Sequence, residues 1–231
     1  MAEFYVNMAF LPLLGVRVFR LTEYMTESLD ISNAALVLVD VQQGFLDPGW
    51  GRSHNLYEGL ANIVKLGEAW NGHRLPVVKV RHDSTHPQST LRSGYRGNDL
   101  IAEVQDLRED LLVTKTVNSS FLGTPDLAQW FRESGITTIV VVGIQTNLCV
   151  ETTARMGGNL GFDVIVPLDA TATFDLEGPS LAGGPPLRLS AEDLMKATAV
   201  NLHGDGFARV TETADVLASL GMTSAIGRGN A

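Results

Sequence analysis

The chain has only one cysteine among its 231 residues. A single cysteine cannot form an intramolecular disulfide or a cysteine-based metal cluster, so neither can hold this fold together. The formal net charge is -9, and no basic cluster offers a surface for nucleic acid or for an anionic membrane. No G-x-G-x-x-G sequence follows the first predicted strand, which argues against a dinucleotide site. We therefore expect a cytoplasmic protein that binds neither nucleic acid nor membrane.

The N-terminal segment, residues 1–30, differs in character from the rest of the chain. Its apolar part is interrupted by Pro12, Gly15 and Arg17 and is too short to span a bilayer. No Lys or Arg precedes this part, so it does not match a secretory signal. We predict an N-terminal extension at residues 1–30, with Met25 as an alternative start, followed by one domain at residues 31–231. An arm that covers a neighbouring surface is the alternative.

Apolar runs of strand length alternate with amphipathic segments of helical length along the rest of the chain. Strands are predicted at residues 35–41, 76–80, 111–114, 138–142, 163–167 and 207–211. Helices are predicted at residues 56–72, 125–134, 191–202 and 214–220, and in a segment around Cys149 that ends near Gly161. This alternation predicts an α/β fold of three layers, α-β-α, with a six-stranded, mostly parallel, doubly wound (Rossmann-like) sheet. Two long polar loops are predicted at residues 82–98 and 169–189.

Three reactive side chains follow three of the predicted strands. Asp40 lies at the end of the first strand, Lys115 follows the third, and Cys149 follows the fourth after a turn at Gly143. The carboxyl ends of parallel strands meet at one edge of the sheet, where ligands bind. We therefore predict that an acid, an amine and a thiol share one crevice. Taken singly, Asp40 could cap a turn and Cys149 could be a small buried hydrophobe.

A thiol that attacks a carbonyl needs a nearby base or a lowered pKa. Its position near the start of a helix places Cys149 at the positive end of the helix dipole, which predicts a reactive thiolate. No histidine lies close to Cys149 in the sequence, so Asp40 is the candidate base. Lys115 would orient Asp40 and favour its ionised form, but it would also favour the thiolate. The three groups should therefore titrate as a coupled set.

Three segments resemble motifs of the isochorismatase-like cysteine hydrolase superfamily: DVQQGF around Asp40, KTVNSSF around Lys115 and GIQTNLCVETTAR around Cys149. The resemblance implies that these three residues form a catalytic triad. It also implies a cis peptide bond between Ile144 and Gln145, with the backbone N–H groups of Gln145 and Cys149 directed at an oxyanion. The implied reaction is hydrolysis of a small amide or related C–N bond, as in nicotinamidases, N-carbamoyl amidohydrolases and streptothricin hydrolases. Relatives are commonly homodimers or homotetramers.

The sequence departs from the nicotinamidase pattern in one segment. Nicotinamidases of this superfamily bind a metal through an Asp and two His in a D-x-H-x-x-x-H type segment. The corresponding stretch here, RHDSTHPQS, contains His82, Asp83 and His86 in a different order. We therefore expect no metal and no cofactor, and we interpret His82 as a polar group that faces the substrate. Both histidines could instead be ordinary loop residues.

Three aromatic residues near the predicted catalytic positions are candidate walls of a substrate pocket. They are Phe45, Trp50 and Phe121, and each could equally serve core packing. Isochorismatases proper, which cleave a vinyl ether, lack a nucleophilic cysteine at this place, so Cys149 favours acyl transfer. Two alternatives stay open: vinyl ether hydrolysis with Asp40 as the proton donor, and a non-catalytic member that binds a small molecule or a protein.

Overall fold

The structure, a computed structural model, describes residues 29–228. The predicted N-terminal extension and the alternative start at Met25 lie outside these residues, except for positions 29 and 30. Within the described range, no helix has the length and apolar character needed to cross a bilayer.

A parallel sheet forms the centre of the molecule. The described strands are β1 (Ala35–Val39), β2 (Val77–His82), β3 (Leu111–Lys115), β4 (Thr138–Ile144), β5 (Asp163–Pro167), β6 (Thr171–Ala172), β7 (Leu176–Ser180), β8 (Pro186–Leu189) and β9 (Arg209–Thr211). The sheet has the order β3-β2-β1-β4-β5-β9, and β6 pairs with the end of β4. The strand order reverses between β1 and β4, which is the topological switch point of a doubly wound sheet. The predicted six-stranded sheet is confirmed, with β6 as an additional short strand.

Helices cover both faces of this sheet and complete the three layers. They are α1 (Leu56–His73), α2 (Ala102–Gln105), α3 (Leu127–Glu133), α4 (Glu151–Asn159), α5 (Ala191–Gly204) and α6 (Thr213–Arg228). One core, with Val37, Val141 and Phe131, lies under α3 and α4, and Cys149 belongs to it. The opposite core contains Trp70 of α1, whose indole nitrogen donates to the Ala34 carbonyl over 2.9 Å. Because both faces are covered, every residue of β1 is buried, as its continuous apolar sequence predicts.

Some element boundaries differ from the predicted ones. The first strand ends at Val39, two residues early, because Asp40 adopts a positive φ of 52° that interrupts extended backbone. The second strand runs two residues further, to His82, because it gains the register pair between His82 and Lys115. The last strand is shorter than predicted and begins at Arg209.

The predicted loop at residues 169–189 is wrong for most of its length, because it contains β6, β7 and β8. Strands β7 and β8 form an antiparallel hairpin in which Leu176 pairs with Leu189. An exposed ion pair between Arg188 and Glu177 closes over 2.8 Å on the other face of the hairpin. Residues 181–185, which include Gly183, Gly184 and Pro185, connect the two strands, and Pro186 begins β8. The Gly-Gly-Pro-Pro composition of this segment suggested a loop throughout.

Candidate active site

Asp40 and Lys115 form a buried ion pair at the carboxyl edge of the sheet. Lys115 Nζ lies 2.6 Å from Asp40 Oδ2, and the side chains are 0% and 1% exposed, respectively. Asp40 directly follows β1 and Lys115 ends β3, so the lysine reaches across the intervening strand β2. The second oxygen of the carboxylate, Oδ1, is buried and has no hydrogen-bond partner among the described groups. A charge pair this deeply buried depends on close contact between its members.

His82 lies between these two residues, at the end of β2. It is the register partner of Lys115, and its Nδ1 is 3.2 Å from Lys115 Nζ. Burial, and then the positive charge of Lys115, lower the pKa of the imidazole, so the neutral ring accepts a hydrogen bond from the lysine. The His82 backbone is held by Gln42, whose side-chain oxygen accepts from His82 N over 2.9 Å. The backbone of Val117 acts in the opposite direction and raises the pKa of the ring, but burial and Lys115 outweigh it.

Cys149 lies on a single π-helical turn, Thr146–Val150, that precedes α4. Its sulfur is within 4.8 Å of a carboxylate oxygen of Asp40 and of a ring nitrogen of His82. Asn118 Oδ1 is 4.0 Å from the sulfur, and the residue as a whole is 9% exposed. The structure therefore brings the acid, the amine and the thiol into one group, with His82 as a fourth member.

The predicted reactive thiolate is wrong for this arrangement. Burial raises the pKa of the Cys149 thiol from its ordinary value of 9.0 to about 12, and the negative charge of Asp40 adds to the rise, while Lys115 opposes it. Burial also raises the pKa of Asp40, although Lys115 lowers it. The helix-dipole expectation failed because a neighbouring carboxylate and the loss of solvent outweigh a partial charge. The resting cysteine is therefore a neutral thiol.

The turn that carries Cys149 depends on Gly143. This glycine has a φ of 130°, and a Cβ atom at its position would lie 2.0 Å from the carbonyl oxygen of Val39. Only glycine permits β4 to approach the end of β1 this closely. The close approach places the nucleophile turn beside Asp40, the residue after Val39.

The backbone around Gln145 has a defined geometry. The peptide bond between Ile144 and Gln145 is cis. The Gln145 carbonyl accepts hydrogen bonds from the N–H groups of Leu148 and Val150, each over 3.1 Å. The Thr173 hydroxyl lies 3.4 Å from Gln145 Oε1 and donates to Asn147 Oδ1 over 2.6 Å. The segment after β6 thus holds the two polar side chains that precede Cys149.

The aromatic candidates are placed in two different regions. Phe45 and Trp50 pack together, with ring centroids 4.8 Å apart, and Phe174 lies 5.7 Å from Trp50. Phe45 and Phe174 line an open cavity of about 380 Å³, which none of Asp40, Lys115 and Cys149 lines. Phe121 instead lies in the core beneath α3, where its ring stacks on Phe162 at 5.7 Å.

The other residues of the RHDSTHPQS segment do not join His82. The Asp83 carboxylate accepts from Arg81 over 2.9 Å and from Asn98 over 3.0 Å. His86 is exposed, and its Nδ1 accepts from the Gln88 N–H over 3.3 Å. His82 therefore belongs to the group around Cys149, whereas Asp83 and His86 make contacts within their own loop.

Three residues near the site were not singled out from the sequence. Asn118, which contacts the Cys149 sulfur, lies inside the KTVNSSF motif, so its position in that motif was an available signal. Gln42 lies inside DVQQGF and is completely buried, which its polar type did not suggest. Phe174 completes the aromatic group from a distant loop, and no local pattern indicates it.

A buried acid–lysine pair beside a cysteine, at the edge of a doubly wound α/β sheet where ligands bind, is an arrangement that can carry out nucleophilic chemistry on a small molecule. The family model described as the isochorismatase domain matches residues 34–183. The chain belongs to the isochorismatase family of hydrolases.

Individual relatives are similar over most of their length. Isochorismatase family protein YrdC of Bacillus subtilis is 41% identical over 142 residues, which are 62% of this chain and 75% of YrdC. Nicotinamidase 3 of Arabidopsis thaliana is 29% identical over 170 residues, or 67% of this chain and 82% of that protein. A solved structure from Chromobacterium violaceum, described as a hydrolase of the isochorismatase family, superposes with a TM-score of 0.75 and 35% identity. It covers 84% of this chain and 97% of its own.

Proposed function

We propose that this protein is a cysteine-dependent hydrolase of a small amide or a related C–N bond, acting through a thioester. The observation that carries the proposal is the buried Asp40–Lys115 pair, with the Cys149 sulfur within 4.8 Å of an Asp40 oxygen. The similarity to an enzyme named nicotinamidase supports an amide substrate. Asp40, Lys115 and Cys149 are the proposed catalytic residues, and no metal takes part in the reaction.

The first half of the reaction is attack by a neutral thiol. Cys149 Sγ forms a bond to the substrate carbonyl carbon while its proton passes to Asp40. Because the pKa of Asp40 is raised by burial, the carboxylate is a stronger base than a solvated one. Asp40 then gives this proton to the leaving nitrogen as the C–N bond breaks, and an acyl thioester remains on Cys149.

The second half returns the enzyme to its resting state. Asp40, now ionised again, accepts a proton from a water molecule that attacks the thioester carbonyl. The C–S bond breaks, the sulfur recovers the proton, and the carboxylic acid leaves. Lys115 remains bound to Asp40 and orients it in both halves. The backbone N–H groups of Gln145 and Cys149 are the proposed donors to the oxyanion. Each such donor typically lowers the activation free energy by about 3 kcal/mol.

The proposed pocket combines His82 as a polar contact with Phe45 and Trp50 as apolar walls. Phe121 is not proposed to contact the substrate, because its ring packs against Phe162 in the core, where it supports the fold around the site. We also propose a homodimer or homotetramer in the cytoplasm, which light scattering coupled to size exclusion would test.

The test is a screen of small amides, ureas and lactams that detects released ammonia or amine. Cys149→Ala and Cys149→Ser should each lose nearly all turnover and keep the thermal unfolding profile of the parent. Trapping of an acyl adduct on Cys149 by rapid acid quench and intact mass would support the thioester. Full activity in Cys149→Ala rules out covalent catalysis.

One observation favours a second candidate, hydrolysis of a vinyl ether. The raised pKa of Asp40 suits an acid that holds a proton and donates it to an alkene carbon. In this case Cys149 is dispensable and Asp40 is not. Turnover of isochorismate by Cys149→Ala, together with its loss in Asp40→Asn, would establish this reaction in place of amide hydrolysis.

A further inference from the structure

The hairpin formed by β7 and β8 stands largely clear of the rest of the described chain. Every residue from 175 to 189 is exposed, whereas Phe174 before the hairpin and Ala191 after it are buried. The base of the hairpin is fixed at Asp175. Its N–H donates to the Arg52 carbonyl, and its carboxylate accepts from the Ala191 N–H, each over 2.8 Å. The hairpin therefore extends from an anchored base away from the core.

One face of this hairpin, the leucine face, consists of Leu176, Leu187 and Leu189. Leu176 pairs with Leu189 in the register, and Leu187 lies two residues from Leu189, so all three side chains lie on one side. They are 38, 51 and 50% exposed, respectively. The register partners Glu177 and Arg188 lie on the opposite side. Because a two-stranded hairpin alone is marginally stable in water, an uncovered apolar face indicates that it binds another surface.

The charge of the hairpin favours a second copy of this chain as the partner. The chain has a formal net charge of -9, so two copies repel each other over most of their surfaces. Between Leu176 and Leu189 the only charged residues are Glu177 and Arg188, which form an ion pair with each other. The hairpin is therefore a neutral, apolar segment of an acidic protein, where two copies can meet without charge repulsion. Identical apolar faces also complement each other when they pack about a two-fold axis.

Proline limits the way in which two such hairpins can associate. Pro179 lies within β7 and Pro186 begins β8, and neither residue has a backbone N–H to donate. Prolines in exposed strands hinder edge-to-edge pairing with a strand of another chain. Contact through the leucine faces is therefore favoured over a continuous sheet that runs from one copy into the next.

We propose that two copies of this chain associate by packing the leucine faces of their β7–β8 hairpins against each other about a two-fold axis. Together with Leu181 at the tip, which is 61% exposed, the three leucines expose the equivalent of about two whole leucines per copy. An interface of this size is at the low end for specific complexes, so we expect a dissociation constant on the order of 10 µM. The proposal locates the homodimer contact and is independent of the proposed reaction, because no hairpin residue belongs to the group around Cys149.

Sedimentation equilibrium of the full chain tests this interface. Between about 1 and about 200 µM, the parent should pass from monomer to dimer. Leu187→Glu places a negative charge from each copy in the contact and should weaken dimerisation by about tenfold or more. The matched control is Val200→Glu, which replaces a 70% exposed apolar residue of α5 and should leave the dissociation constant unchanged. Both variants should keep the thermal unfolding profile of the parent, since both positions are exposed.

Cross-linking tests the packing of the two faces directly. A short bis-maleimide should join Leu187→Cys into a covalent dimer faster than Val200→Cys, and the parent, whose Cys149 is buried, gives the background rate. Equal rates in the two variants, or a dimer of unchanged affinity in Leu187→Glu, overturn the proposal, because the copies then meet through another surface. A parent that stays monomeric also overturns it, and a lower unfolding temperature in Leu187→Glu would then assign the face to another segment of the same chain. Loss of dimerisation in Leu187→Glu alone supports the interface even when the amide screen finds no substrate.

Discussion

The neutral state of the Cys149 thiol makes a measurable prediction about alkylation. At pH 8, a thiol with a pKa of about 12 is ionised in about one molecule in ten thousand, against about one in ten at the ordinary value of 9.0. A more basic thiolate is intrinsically more nucleophilic, and this increases the rate constant of the ionised form by a factor of about 16 to 32. Iodoacetamide should therefore label Cys149 about 30 to 60 times more slowly than an exposed thiol of ordinary pKa.

Replacement of Asp40 should move labelling and turnover in opposite directions. Asp40→Asn removes the negative charge that raises the pKa of the Cys149 thiol, and it leaves Lys115 to favour the thiolate. The variant should label faster than the parent, although it should lose amide turnover because the base is missing.

The assay is simple because the chain has one cysteine, so intact mass at pH 8 reports a single modification. A urea-unfolded sample provides the reference rate for an accessible thiol. Labelling of the folded parent at that reference rate, or slower labelling in Asp40→Asn than in the parent, would refute the electrostatic reasoning.

Three further predictions concern stability. Lys115→Met leaves the buried Asp40 carboxylate unpaired and should cost about 3–5 kcal/mol in urea unfolding at pH 7; an unchanged midpoint would show that the pair is not buried in solution. Gly143→Ala should cost about 3 kcal/mol, because its Cβ would meet the Val39 carbonyl at a φ that disfavours alanine. This loss should appear in thermal unfolding as a lower Tm. The pKa of Glu212 is raised by burial and by neighbouring carboxylates, so its ionised form destabilises the fold as the pH rises through that pKa. Glu212→Gln should therefore stabilise the protein at pH 7 by less than about 1 kcal/mol, and the gain should disappear below the ordinary pKa of 4.5.

The fold could be predicted from the sequence because it depends on local patterns. The apolar run of β1 and the run from Thr138 carry no alternation, which is typical of strands buried on both faces. Parallel strands joined by helices have few topologies, so residues that follow strands were expected on one edge. This rule places Asp40 and Lys115 on the same edge, and the packing of the folded chain brings them to 2.6 Å.

Other features of the site depend on contacts between distant segments. The pairing of His82 with Lys115 is a matter of strand register, which a sequence pattern leaves open. Phe174 lies beside Phe45 only because the segment that follows β6 folds back against the segment that follows β1. The short strand β6 exists because it pairs with the end of β4, and its two residues carry no strand signal of their own.

The sequence by itself determined the layered α/β architecture and the edge of the sheet at which the three candidate reactive groups lie, because apolar periodicity and strand order act through neighbouring residues. Only the tertiary structure decided the state of those groups. The pKa of the Cys149 thiol depends on how much solvent is removed and on which charge lies nearer. Both quantities are set by packing across the sheet, so a helix-start position predicted a thiolate where the folded protein holds a thiol.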